Sequence, residues 1–250
     1  MHPPRGASGE PCRDDGPNLH VVARTVIPLF PLGSVLFPGL ALPLHIFEDR
    51  YRRLVADLQE GTDEIDRSFG VVAIRAGHEV GAASVRTLHE IGTTAVLRRV
   101  TPYPDGRFDI LSAGSRRFRL HAVDDTLPYL RGEVEWLPED AGPAEQTAAL
   151  AERVRHQFGR YQQVMGAEPV PSDTTQTDGP SLPEDPTVLS YLVSAAMVLD
   201  LPDRQRLLAT RTTAQRLARL CDVLAREHAL VRLLEAVPAT DLLRASVNPN

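Results

Sequence analysis

The sequence predicts an α+β protein, a β-rich half followed by a helical half. Three observations predict it. Between residues 69 and 137 lie several short runs of β-branched or alternating residues bounded by turn signals, the pattern of a barrel or sandwich rather than of βαβ units. Beyond residue 143 the apolar residues recur at helical spacing behind recognisable start signals. The 250-residue chain is 42% hydrophobic and 24% charged, ordinary composition for a protein that folds around its own core.

Residues 1–24 are rich in proline, glycine and charge without an apolar period, and are expected to form a disordered tail. The β-rich part should span 25–138. It opens on "IPLFPLGSVLFPGLALPLHIFEDRYRRL" (27–54), the most apolar stretch of the chain, which nevertheless holds Pro28, Pro31, Pro38 and Pro43. Proline cannot donate to a sheet ladder, so this run should be edge or irregular extended structure. Val35, Leu36, Phe37, Leu40 and Leu42 remain free to bury, and Pro38-Gly39 reads as a turn. From Glu48, the spacing of Tyr51, Leu54, Val55 and Leu58 predicts an amphipathic helix that Gly61 ends. Strands are expected at 69–75, 93–100, 107–123 and 129–137, with Asp105-Gly106 supplying the positive φ of a hairpin connection.

The helical part should span 143–237. Its first helix runs over 144–165. Asp185 then supplies an N-cap and Pro186 the first helical position of a second. Leu201-Pro202-Asp203 opens a short third helix. Thr212 and Gln215 fit a capping box for the last, whose Leu217, Leu220, Cys221, Leu224, Val231 and Leu234 form one stripe. The proline-rich, polar run at 166–184 reads as a flexible loop, and 238–250 as a second tail. No internal repeat is present.

A net charge of −6 argues against nucleic acid as a general partner, because phosphate binding rests on local excess of Lys and Arg. All 27 basic residues are arginine. The absence of lysine excludes a phosphate-binding loop ending in Gly-Lys-Ser/Thr, Schiff-base chemistry and a Ser-Lys dyad within these residues. The first residues lack the apolar core of a signal peptide and no run is long enough to cross a membrane, so a cytoplasmic protein without a membrane partner is expected. Cys12 and Cys221 suggest neither a disulfide framework nor a metal site, and Cys221 reads as core.

Nothing assembles into a legible active site. His45 lies three residues before Glu48, which could suggest a proton-transfer pair or half a metal site, but a histidine in an apolar strand reads first as a satisfied core residue. Gly33-Ser34 and Gly114-Ser115 do not complete a Gly-x-Ser-x-Gly turn, and no dinucleotide fingerprint follows a strand. No catalytic residue, cofactor or metal is therefore expected.

"LFPLGSVLFPGLALPLHIFEDRY" (29–51), "FGVV" (69–72), "EIGTTAVL" (90–97), "PDGRFDILSAGSRRFRL" (104–120) and "LDLPDRQRLLATRTTAQRLARL" (199–220) resemble the N-terminal domain of the ATP-dependent protease Lon. The resemblance covers residues 25 to about 236. It implies a PUA-like pseudo β-barrel followed by a helical bundle, and a role in recognising polypeptide substrates. Lon continues into ATPase and Ser-Lys protease modules, whereas this 250-residue sequence has no lysine for either, so a stand-alone, non-catalytic member is expected.

The leading expectation is a module that holds exposed hydrophobic stretches of a client polypeptide at an apolar surface near the proline-rich segment. Phe37, Leu40, Phe47, Tyr51 and Phe118 are the candidate contacts, with Phe47 and Tyr51 also fitting ordinary core positions. Glu48 and Arg117 are a candidate ion pair tying the first helix to the β part. Two alternatives stand beside it: an adapter that engages a protease or chaperone through its helices, and an RNA-binding PUA-like protein.

Overall fold

A computed structural model describes residues 24–77, 85–164 and 182–235. The expected tails and most of the loop at 166–184 fall outside the described residues. Among the described residues there are seven strands and five helices: β1 (Arg24–Leu32), β2 (Ala41–Ile46), α1 (Asp49–Glu60), β3 (Ser68–Gly77), β4 (Val85–Leu88), β5 (Ile91–Pro102), β6 (Phe108–Asp124), β7 (Arg131–Trp136), α2 (Ala144–Val164), α3 (Pro186–Ala196), α4 (Leu201–Ala209) and α5 (Thr213–Glu235).

The strands run in the order β1-β7-β6-β5-β3-β4, and a parallel β1–β3 pairing closes the first five into a ring. The implied pseudo-barrel takes this form. Pro28 and Pro31 lie on β1, Pro43 on β2, and Pro38 in the turn between them. β1 pairs with β7 over residues 24–28 and with β3 over residues 29–32. Each half thus keeps one side free of ladder bonds, which is where residues without an N–H are tolerated. β2 lies outside the ring and pairs with β6 alone among the described strands, so Pro43 sits on an edge strand.

The ring encloses Phe118, which is fully buried with Ile27, Leu29, Val72 and Val134. Gly92 of β5 faces this ring: a Cβ there would lie 2.5 Å from Phe118 Cζ and 2.6 Å from the Val71 carbonyl oxygen. A second core forms where α1 lays Tyr51, Leu54, Val55 and Leu58 against Phe30, Phe69 and Leu97. Tyr51 stacks on Phe30 with ring centroids 3.9 Å apart.

The caps expected at Asp185 and Thr212 form, whereas α4 is capped by Asp200, one residue before the expected Leu201-Pro202-Asp203. The Asp185 side chain accepts from the N–H groups of Thr187 and Val188, and Asp200 caps α4 by accepting from Asp203 N–H. Thr212 accepts from Gln215 N–H to open α5. α2, α3, α4 and α5 then build a third core around Val154, Leu189, Leu217 and Leu224. Residues 33–40 join the two halves. Leu36 packs into the core beside α1, while Val35 and Phe37 enter the helical core.

Arg117 makes the polar joint between the halves. Although it lies on β6, its side chain is 2% exposed and its Nε pairs with Glu139 at 2.7 Å. Its Nη1 donates to the carbonyls of Leu208 (3.0 Å) and Thr210 (2.6 Å), and its Nη2 to those of Pro138 and Arg211. The anticipated Glu48–Arg117 pair does not form. Glu48 N-terminally flanks α1 and bonds Arg50 at 2.9 Å, whereas Arg117 points through the opposite side of β6 toward the helices. Glu139 also accepts from Tyr191 at 2.8 Å and lies 3.7 Å from Arg216, which stacks over the Tyr191 ring at 3.9 Å. Burial, first of all, raises the Tyr191 phenol and lowers the Arg216 guanidinium from their ordinary values.

Candidate functional site

β2 alternates. Leu42, Leu44 and Ile46 turn inward toward the α1 core, and Ala41, Pro43 and His45 turn outward. The strand registers extend this outer face across three strands. His45 stands opposite Asp109, which stands opposite Thr101; Pro43 stands opposite Leu111, which stands opposite Arg99. These two rows line a shallow groove of about 400 Å³.

Two aromatic rings, Phe47 and Tyr103, neighbour the His45 ring that lines this groove, with centroids 6.4 and 5.9 Å away. Phe47, just past β2, is 53% exposed, and Tyr103 in the β5–β6 hairpin is 38% exposed. The hairpin is held by Gly106, whose φ of +81° suits glycine, and by paired backbone hydrogen bonds between Tyr103 and Gly106 or Arg107. Asp109 binds His45 Nδ1 at 2.7 Å through one oxygen and accepts from the Tyr103 hydroxyl at 2.5 Å through the other. The hydrogen bonds from Tyr103 and then His45 hold the Asp109 carboxyl below its ordinary value, and Asp109 in turn raises the Tyr103 phenol. Arg107 is spent on Asp105 at 2.7 Å.

Both oxygens of Asp109 are engaged, and neither ring nitrogen of His45 bonds to a serine, threonine or cysteine. No group of three or more potential metal ligands occurs among the described residues, and no described helix is long and apolar enough to cross a membrane. Cys221 is buried, and burial raises its thiol.

The candidate contacts therefore separate. Phe37 and Phe118 are fully buried and Tyr51 is 5% exposed, so none of the three presents a surface to a partner. Leu40 is half-buried between two cores. Phe47 is the one candidate that the fold leaves open, contrary to its core assignment. His45 likewise leaves the core for the surface, and it binds Asp109 rather than Glu48. Tyr103 and Asp109 were missed, although both flank the Asp105-Gly106 turn that the sequence announced.

Comparison with known proteins places the chain in a family. The domain described as "ATP-dependent protease La (LON) substrate-binding domain" matches residues 26–226. Lon protease 2 of Syntrophobacter fumaroxidans is 28% identical over 205 residues, covering 81% of this chain and 24% of that protein. Lon protease of Koribacter versatilis is 29% identical over 216 residues, covering 86% and 25%. The chain thus spans about a quarter of the length of these relatives. Among solved structures, a Lon N-terminal domain protein from Xanthomonas campestris matches with a TM-score of 0.53 at 25% identity, covering 78% of this chain and 96% of that one. The N-terminal domain of Mycobacterium avium complex Lon protease shares the fold with a TM-score of 0.59 at 19% identity, covering 80% and 98%.

Proposed function

Because the chain belongs to the family of Lon substrate-binding domains, we propose that it is a non-catalytic binding module that holds exposed hydrophobic segments of unfolded polypeptides. The observation that carries this reading is Phe47, an aromatic ring 53% exposed beside His45, whose ring lines the outer groove and also meets the ring of Tyr103. A soluble domain that leaves large apolar side chains together on a concave face gains by covering them. An extended polypeptide supplies alternating side chains that match such a face.

The test is binding of a fluorescent unfolded polypeptide and of a folded control to the purified protein without ATP. Selective binding of the unfolded chain, weakened by Phe47→Ala and by Tyr103→Ala, is the expected result. No binding at roughly tens of micromolar would overturn the proposal. A second reading, an adapter that meets its partner through the helices, draws on Val198 and Val188, which are 72% and 51% exposed. Retention of a pulled-down partner by Phe47→Ala and its loss in Val198→Asp would favour that reading.

A further inference from the structure

The outer groove suggests what kind of polypeptide would fit and how it would lie. Resting on the binding role given above, we infer that the β2–β6–β5 face docks an extended segment lying flat against the sheet, with an acidic side chain of that segment paired to Arg99.

The flat orientation follows from the edge of β2. Gly114 N–H donates to the Leu40 carbonyl at 2.7 Å, so the backbone polar groups of the even-numbered residues turn toward β6. In a strand, those of Ala41, Pro43 and His45 then turn toward the open edge. Pro43 has no N–H to offer there. A strand adding to this edge would lose the middle of its three donors, which is how natural sheets discourage edge pairing. The face has no such defect, and the outward side chains of Pro43 and Leu111 floor its groove.

The acidic preference follows from charge. Around the groove, Arg107 is paired with Asp105 at 2.7 Å and Arg98 with Glu64 at 3.1 Å, and both Asp109 oxygens are taken up in hydrogen bonds with His45 and Tyr103. Arg99 lines the groove and is exposed, and its guanidinium has no ion-pair or hydrogen-bond partner among the described residues. It completes the row Pro43–Leu111–Arg99, two apolar positions followed by a guanidinium. An extended segment whose apolar side chains cover Pro43 and Leu111 brings a neighbouring carboxylate to Arg99, where a planar fork can accept it.

The probes are short labelled peptides of alternating leucine and threonine, amidated at the C-terminus, with one central glutamate or glutamine. The glutamate peptide should bind roughly fivefold more tightly at low salt, the upper range for an exposed pair, and lose this advantage as salt screens it. Arg99→Gln should equalise the two peptides and Arg99→Glu should reverse the order, with melting temperatures unchanged because Arg99 is exposed. Equal binding of both peptides to the unaltered protein, or a preference that survives Arg99→Gln, would sink the inference while leaving polypeptide binding intact. A glutamine peptide with a free C-terminus that outbinds the glutamate peptide would assign Arg99 to terminal carboxylates instead and overturn the side-chain pairing. Loss of binding on N-methylation of alternate peptide nitrogens would show edge addition and overturn the flat orientation. Failure of every peptide to bind would remove the binding role as well.

Discussion

Replacing Arg117 by methionine should uncouple the β ring from the helices. The substitution keeps a long, flexible apolar stem at a site that is 2% exposed but removes every donor. Two short hydrogen bonds are lost, to the carbonyls of Thr210 at 2.6 Å and Leu208 at 3.0 Å. Leaving two buried acceptors unmet is worth about 1–3 kcal/mol each. The bonds to Pro138 and Arg211, at 3.4 and 3.3 Å, are long and add little. Breaking a buried ion pair by removing one partner adds further loss, but Glu139 is 41% exposed and keeps the Tyr191 hydroxyl, so solvent offsets much of that. The two unmet carbonyls together come to about 2–6 kcal/mol, a range that brackets the loss seen when one member of a buried pair is deleted. Urea unfolding followed by circular dichroism measures it, with Glu139→Gln and the double variant closing a cycle whose coupling should exceed about 0.5 kcal/mol. A loss below about 1 kcal/mol would place Arg117 among ordinary surface substitutions and refute the joint.

Three further outcomes follow from the same geometry. Gly92→Ala places a Cβ 2.5 Å from Phe118 and 2.6 Å from a backbone oxygen, so thermal unfolding should show a loss of about 1–3 kcal/mol. Phe37→Ala, at a fully buried ring, should lose about 3–5 kcal/mol of stability, whereas Phe47→Ala should leave stability nearly unchanged and weaken polypeptide binding; equal stability losses would contradict the burial of the two rings. Hydrogen bonds from Thr126 and then from Arg131 hold the Asp124 carboxyl down to about 2. Since the folded value lies below the ordinary 3.8, the stabilisation is present above that pH and fades as pH falls toward about 2, so acid unfolding of Asp124→Asn should lack this component.

What the sequence revealed depended on whether the decisive contact was local. The caps at Asp185 and Thr212, the face of α1 and the hairpin at Gly106 are each set within a few residues, and each is found where the spacing put it. The proline-rich segment was read correctly as extended, yet its burial depends on two cores far apart in the chain. Phe37 meets Tyr191, with ring centroids 6.2 Å apart across more than 150 intervening residues, and no local pattern could announce that. Arg117 is the same case in polar form: its carbonyl acceptors on Leu208 and Thr210 lie 91 and 93 residues away, so a nearer acidic residue, Glu48, looked like the natural partner. Phe47 is different, because its signal was present. The inward set Leu42, Leu44 and Ile46 fixes the phase of β2, and period two then puts Phe47 outside with Pro43 and His45. Hydrophobicity alone sends phenylalanine to the core; strand phase overrides it here. That override concentrates the reading on one ring, because the residue just past β2, in phase with Pro43 and His45, carries an aromatic side chain into water beside the His45 ring that lines the groove.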